Sequence, residues 1–146
     1  MGAVSKVSRA KALQLWEELA RAHNTMTAAI EKDMAAAGMP LGWHDVLLHL
    51  KRAPEGSLRF QDLAKVEGMS DSGASRRLDQ MIKAGLIERR SCPTDRRGVF
   101  AHITAKGESE FRRLHAVFVR SLERNLGSQL EPDEAEVVSG ALSRLA

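Results

Sequence analysis

A mainly α-helical fold carrying one small β-hairpin is what this chain of 146 residues predicts, on three observations. Two long stretches near the ends place apolar residues at helical spacing. Two shorter helical segments in the middle are separated by a glycine-containing turn. Between the second of these and the C-terminal stretch, two alternating runs flank a turn rich in Pro, Asp and Gly. A hydrophobic content of 43% is ordinary for a globular chain and argues against disorder. No apolar run approaches the roughly 20 residues of a membrane span, and residues 1–7 lack the apolar stretch of a secretory signal, so a cytoplasmic protein with no membrane partner is expected. The one cysteine, Cys92, excludes an internal disulfide and a cysteine-rich zinc knuckle.

Taken in order, Leu13, Trp16, Leu19, Ala20, Met26, Ile30 and Met34 recur at helical spacing until Gly38 and Pro40 stop the pattern, which predicts one helix over about 8–37. A second helix begins near Leu41, with Trp43, Val46, Leu47 and Leu50 on one side, and ends at Pro54 and Gly56. Residues 58–68 then read as a short helix and residues 71–84 as a longer one. Small Ala64 permits close packing, Gly68 permits the tight turn, and Ser70 can cap the second helix, so the pair reads as a helix-turn-helix. Position N3 is Gly73, so no capping box is expected. After Gly85, residues 86–90 and 99–103 read as two short strands around Pro93, Thr94, Asp95, Arg96, Arg97 and Gly98, a hairpin or wing. Thr104 starts a long helix with Phe111, Leu114, Phe118, Leu122 and Leu126 on one side. A final helix opens near Pro132 and carries Val138, Ala141, Leu142 and Leu145.

Charge is segregated along this order. The net charge is +3, yet residues 76–106 hold eight basic residues (Arg76, Arg77, Lys83, Arg89, Arg90, Arg96, Arg97, Lys106) against three acidic ones (Asp79, Glu88, Asp95). The rest of the chain is therefore slightly acidic. A basic face concentrated on a helix-turn-helix and its wing suits the phosphates of double-stranded DNA.

A helix advances about 100° per residue, so Ala74, Leu78, Met81 and Ile82 fall in one anchoring stripe of the second helix of the motif. Ser72, Gly73, Arg76, Asp79, Gln80 and Lys83 oppose it, with Ser75 and Arg77 on the flanks, and Ser70, Ser72, Gly73, Ser75, Arg76, Arg77 and Lys83 are the DNA-binding residues expected here. In helix-turn-helix docking the N-terminal part of this helix enters the major groove, which brings Ser72, Gly73, Ser75 and Arg76 nearest the base edges, just past the Ser70 cap. Arg76 can pair in bidentate fashion with guanine, worth about 1–3 kcal/mol of discrimination; the alternative is a pair with Asp79 or Gln80 on a solvated face. Gly73 either lets the backbone approach DNA or simply weakens the helix. In the wing, arginines on a tight turn can enter a narrow minor groove, while Arg89, Arg90 and Lys106 fit phosphate contacts.

Three stretches, residues 69–79, the Ala84-Gly85-Leu86-Ile87 exit, and residues 95–107 with their Asp-x-Arg turn and Thr-x-x-Gly helix start, give the chain a resemblance to the MarR (multiple antibiotic resistance regulator) family over nearly its whole length. The chain departs from that pattern at Arg77, where an apolar residue is usual, and at Gly73, where Thr or Ser is common. The resemblance implies one domain spanning residues 1–146, with helices over about 8–37 and 104–146 for dimerisation and a winged DNA-binding lobe over about 41–103. It implies a homodimer on a palindromic operator, acting as a repressor, with Arg97 in the minor groove, Asp95 orienting it and Arg96 meeting phosphate. Apolar stripes on the outer helices, with no lobe in the sequence to cover them, agree with a dimer; packing within one chain is the alternative. The resemblance also implies a small-molecule effector, and the lining expected for it here is Trp16, Met26, Trp43 and His44, two of them bulky aromatics near the first and second helices; the alternative is that these residues are core.

Other classes of function fare worse. The chain has no nucleophile elbow, no phosphate-binding glycine loop and no His-Glu-x-x-His, so no enzyme is expected. A winged helix that binds protein rather than DNA is the surviving alternative. No cofactor or metal is expected, since His44 and His49 lie five apart rather than four, and His23, His102 and His115 are scattered. Cys92 lies beside wing arginines that would favour its thiolate, but the family's peroxide sensors carry their cysteine in the first helix, where this chain has none.

Overall fold

The computed structural model describes residues 6–91 and 98–146. In chain order the described residues form α1 (Arg9–Ala36), α2 (Leu41–Arg52), β1 (Ser57–Arg59), α3 (Phe60–Val66), α4 (Asp71–Lys83), β2 (Ile87–Ser91), β3 (Val99–Ile103), α5 (Ala105–Asn125) and α6 (Pro132–Ser143). Helices α1 and α5 each run through two compact units, one made of residues up to 32 and from 120 onward, the other of residues 33–119. None of the helices is long and apolar enough to cross a membrane.

The unit of residues 33–119 is built on an antiparallel sheet of order β1-β3-β2, in which Leu58 faces Ala101 and Ile87 faces Ile103. Strand β1 was not expected from the sequence. Residues 58 and 59 extend along β3 instead of opening α3, which begins at Phe60. Leu47, Leu50, Leu63, Leu78, Met81 and Ala101 are wholly buried or nearly so, and they hold α2, α3, α4 and the sheet around one core. Burial of each large apolar side chain contributes roughly 1.5–3 kcal/mol.

The α3–α4 turn forms as its residues dictate. Gly68 takes φ +61°, and the Met69 N–H donates to the Ala64 carbonyl at 3.0 Å, closing α3. Ser70 Oγ then accepts the Gly73 N–H at 3.2 Å and caps α4. Gly85, at φ +76°, closes α4 in the same way, with the Leu86 N–H on the Met81 carbonyl at 3.0 Å. Thr104 caps α5: its hydroxyl donates to the Gly85 carbonyl at 2.6 Å and accepts the Gly107 N–H at 3.0 Å. A Cβ on Gly107 would lie 2.1 Å from the Leu86 carbonyl oxygen, which explains the Thr-x-x-Gly spacing physically.

In the other unit, Glu131 and Glu134 form a reciprocal capping box at the start of α6, with Pro132 in the first turn. No residue of α6 is buried. A groove of about 560 Å³ runs between the end of α5 and α6, lined by Leu122, Leu126, Leu130, Val138 and Leu142 among others. On α1, Leu13, Leu15, Trp16 and Leu19 are exposed.

Candidate nucleic-acid interface

Helix α4 presents two unlike faces. Ala74, Leu78 and Met81 are buried against the core, while Ile82, expected with them, is only half-buried at the edge of the stripe. On the other side Ser72, Ser75, Arg76, Gln80 and Lys83 are exposed. Among the described residues, neither Arg76 nor Lys83 has a hydrogen-bond or ion-pair partner, because Asp79 is taken by Arg89 of β2. Two cations, Arg76 and Lys83, therefore stand on the exposed face of the helix with no partner among the described residues. Ser70 is committed to its cap and also lies 3.3 Å from the Ser72 hydroxyl. Gly73 sits where a Cβ would come within 3.1 Å of the Ser70 Oγ, so its bareness accommodates the cap.

Arg77 is placed differently from what the sequence suggests. It turns to the inner flank, where its Nη1 lies 3.0 Å from Glu67 Oε2, the Glu67 side chain being only 9% exposed. His49 of α2 meets the same carboxylate at 3.1 Å. Burial, and next the nearby Asp45, raise the Glu67 pKa above its ordinary value, against the pull of His49 and Arg77. Neither Glu67 nor His49 carries a local sequence signal for this role, since both contacts join separate helices.

Beside the hairpin, Arg89 packs over the Phe60 ring at 5.2 Å while pairing with Asp79, and Arg90 pairs with Glu88 at 2.7 Å. Both pairs are largely exposed and each contributes at most ~1 kcal/mol, so phosphates could compete for these guanidinium groups. Arg59, absent from the sequence reading, lies over Phe100 at 5.4 Å. Lys106 donates to the Ala84 carbonyl at 2.8 Å and so tethers the end of α4. Cys92, Asp95, Arg96 and Arg97 lie outside the described residues.

Of the residues expected beside an effector, Trp16, 71% exposed, and the half-buried Met26 belong to one compact unit, and Trp43 and His44 to the other. His44 is wholly buried and already engaged. It stacks on Phe111 and His115 of α5 and tilts against Phe118, with its Nε2 3.1 Å from His115 Nδ1 and its Nδ1 3.4 Å from Asp45. In the tautomer whose Nδ1–H donates to the Asp45 carboxylate, the His44 Nε2 accepts from His115. Burial first, then His44 and Arg52, hold the His115 pKa below its ordinary value. Sequence distance had hidden this pairing. Among the described residues no group of three or more His, Cys, Asp or Glu is placed to hold a metal ion.

Known proteins share this fold. Residues 37–98 match the model of the MarR family. An uncharacterised HTH-type transcriptional regulator of Bacillus subtilis, YfiV, is 33% identical over 91 residues, which cover 62% of this chain and 56% of that protein. The match thus spans little more than half of that relative. AbsC, a MarR family transcriptional regulator from Streptomyces coelicolor, superimposes with a TM-score of 0.86 at 25% identity, over 97% of this chain and 95% of its own. Sco3205, a MarR family regulator from the same organism solved in complex with DNA, reaches a TM-score of 0.87 at 23% identity, over 99% and 91%. Residues 37–98, the winged helix-turn-helix, thus match the MarR family model, and the fold as a whole is similar to that of MarR family regulators over nearly its full length.

Proposed function

We propose that the protein is a transcriptional regulator that binds a palindromic operator in double-stranded DNA as a homodimer and represses the gene it controls, working in the cytoplasm. The observation that carries this reading is the outward face of α4, where Ser72, Ser75, Arg76 and Lys83 are exposed and both cations lack partners among the described residues. Such a face meets base edges in the major groove, with the hairpin following the backbone. The solved DNA complex of Sco3205 adds support by likeness of fold. Arg97, with Asp95 as its orienting partner, is assigned to the minor groove, and Arg96, Arg89 and Arg90 to phosphates. Dimerisation is assigned to the exposed apolar faces of α1 and α6. No enzymatic step, cofactor or metal belongs to the reading. A small aromatic effector does, as a ligand that prefers the state unable to bind DNA, since equal affinity for both states shifts nothing.

The test is a gel shift with duplex fragments of the source genome, including the region upstream of the protein's own gene, across a salt series. Selective binding that weakens steeply with salt is the expected result. Uniform weak binding to every fragment would leave a winged helix that docks on protein instead.

A further inference from the structure

One carboxylate joins the three helices of the DNA-binding lobe. Glu67 follows α3, contacts His49 of α2 at 3.1 Å through Oε1, and contacts Arg77 of α4 at 3.0 Å through Oε2. The Arg77 guanidinium lies against Gly42 at the start of α2, where a Cβ would come 2.6 Å from Cζ, so the absence of a side chain there makes its berth. Asp45 of α2 is the remaining charged group facing Glu67.

Burial of Glu67 works against its charged form. An acid whose pKa is raised on folding binds protons more tightly folded than unfolded. Its stability contribution is present at low pH and lost as pH rises through the raised value, so the charged form of Glu67 costs stability at neutral pH.

The geometry of these contacts bears on the roll of α4. Ala74, Leu78 and Met81 set how deeply the helix seats, and polar ties on its two flanks add to what holds its rotation about the helix axis. Arg77 and Asp79 lie on opposite flanks of Leu78, each about 100° away around the helix. Arg77 is tied to Glu67 and Asp79 to Arg89, so α4 is stayed from both sides. The Asp79 stay is exposed on both partners; the Glu67 stay is part-buried and fixed to a second helix through His49.

We propose that Glu67 is a positioning residue for DNA recognition: through Arg77 it sets the roll of α4 and hence the direction in which Arg76 and Ser72 meet the bases. Arg77, on this account, touches no DNA. The inference rests on the DNA-binding reading above.

The experiment compares the full-length wild type, Glu67→Gln, Arg77→Met and the double variant, each binding its best genomic duplex and a scrambled duplex of equal length, with thermal unfolding in parallel. Each single variant is expected to lose about tenfold on the selected duplex and less than about twofold on the scrambled one, with an unfolding midpoint close to wild type. The double variant is expected to be no worse than either single one, because both remove the same stay. Glu67→Asp, which keeps the charge but draws it back by one methylene, serves as the second variant should Glu67→Gln unfold, and is expected to lose selectivity as well. If Glu67→Gln binds both duplexes more tightly while Arg77→Met loses equally on both, with a salt slope smaller by about one, Arg77 is a phosphate contact and the proposal is overturned. A selective wild type with unaltered variants also overturns it. A wild type that prefers no duplex overturns the DNA-binding reading itself, before any variant is measured.

Discussion

The two compact units solve the problem of their apolar residues in opposite ways. Residues 33–119 bury theirs: Met34, Leu47, Leu50, Leu63, Leu78, Met81 and Leu114 are at most 1% exposed. The unit formed by the two ends of the chain leaves Trp16 71%, Val137 72% and Leu145 74% exposed, and α6 buries nothing. Exposed apolar faces of this extent mark association surfaces. One unit closes its own core and presents charge to the outside; the other presents apolar side chains and calls for a second copy. In the proposed regulator the first reads DNA and the second sets the spacing of two readers.

The largest expected effect breaks the second unit. Val138→Asp together with Leu142→Asp puts charge into the α5–α6 groove, and each lost apolar burial is worth about 1.5–3 kcal/mol, twice over in a symmetric pair. Sedimentation should show monomers, and operator binding should collapse with the dimer. An intact dimer would move the interface elsewhere. Next comes a break in the first unit: Gly107→Ala drives a methyl against the Leu86 carbonyl and should cost about 1–3 kcal/mol or more in denaturant unfolding, whereas an unchanged midpoint would mean that α5 shifts freely.

These two positions also show what the sequence could and could not reveal. The Thr-x-x-Gly start of α5 came with the family resemblance, without its contact to Leu86, whereas the cap at Ser70, the turns at Gly68 and Gly85 and the buried stripe of α4 were legible because each is decided within a few residues. Contacts between distant segments were not. Strand β1 is three residues long and pairs with a strand some forty residues away, so Leu58 and Arg59 looked like the start of a helix. For Arg77, helical spacing says which flank of α4 it occupies but not that Glu67 awaits it there. His44 and His115 looked scattered because 71 residues separate two rings that share a hydrogen bond.

Smaller effects sharpen the division. Arg76→Ala should cost about 1–3 kcal/mol on the operator, relax preference at one base position and leave dimerisation untouched; equal losses on operator and random duplex would refute base readout. The smallest effect is acid sensitivity of the reading unit. The His115 pKa is lowered on folding, so its contribution to stability is present above the ordinary value of 6.5 and lost as pH falls through the depressed one. Unfolding midpoints should fall over that range in the wild type and less steeply in His115→Gln. Parallel curves would place the sensitivity on other groups.

The most direct test of two readers held by one dimer is affinity for the full palindromic operator against a duplex with one half-site scrambled, at one fixed salt concentration. The account expects two chains per full operator and, on the altered duplex, a loss of about a hundredfold or more, as when several matched positions are lost together. Equal affinity for the two duplexes, with one chain on each, would contradict it.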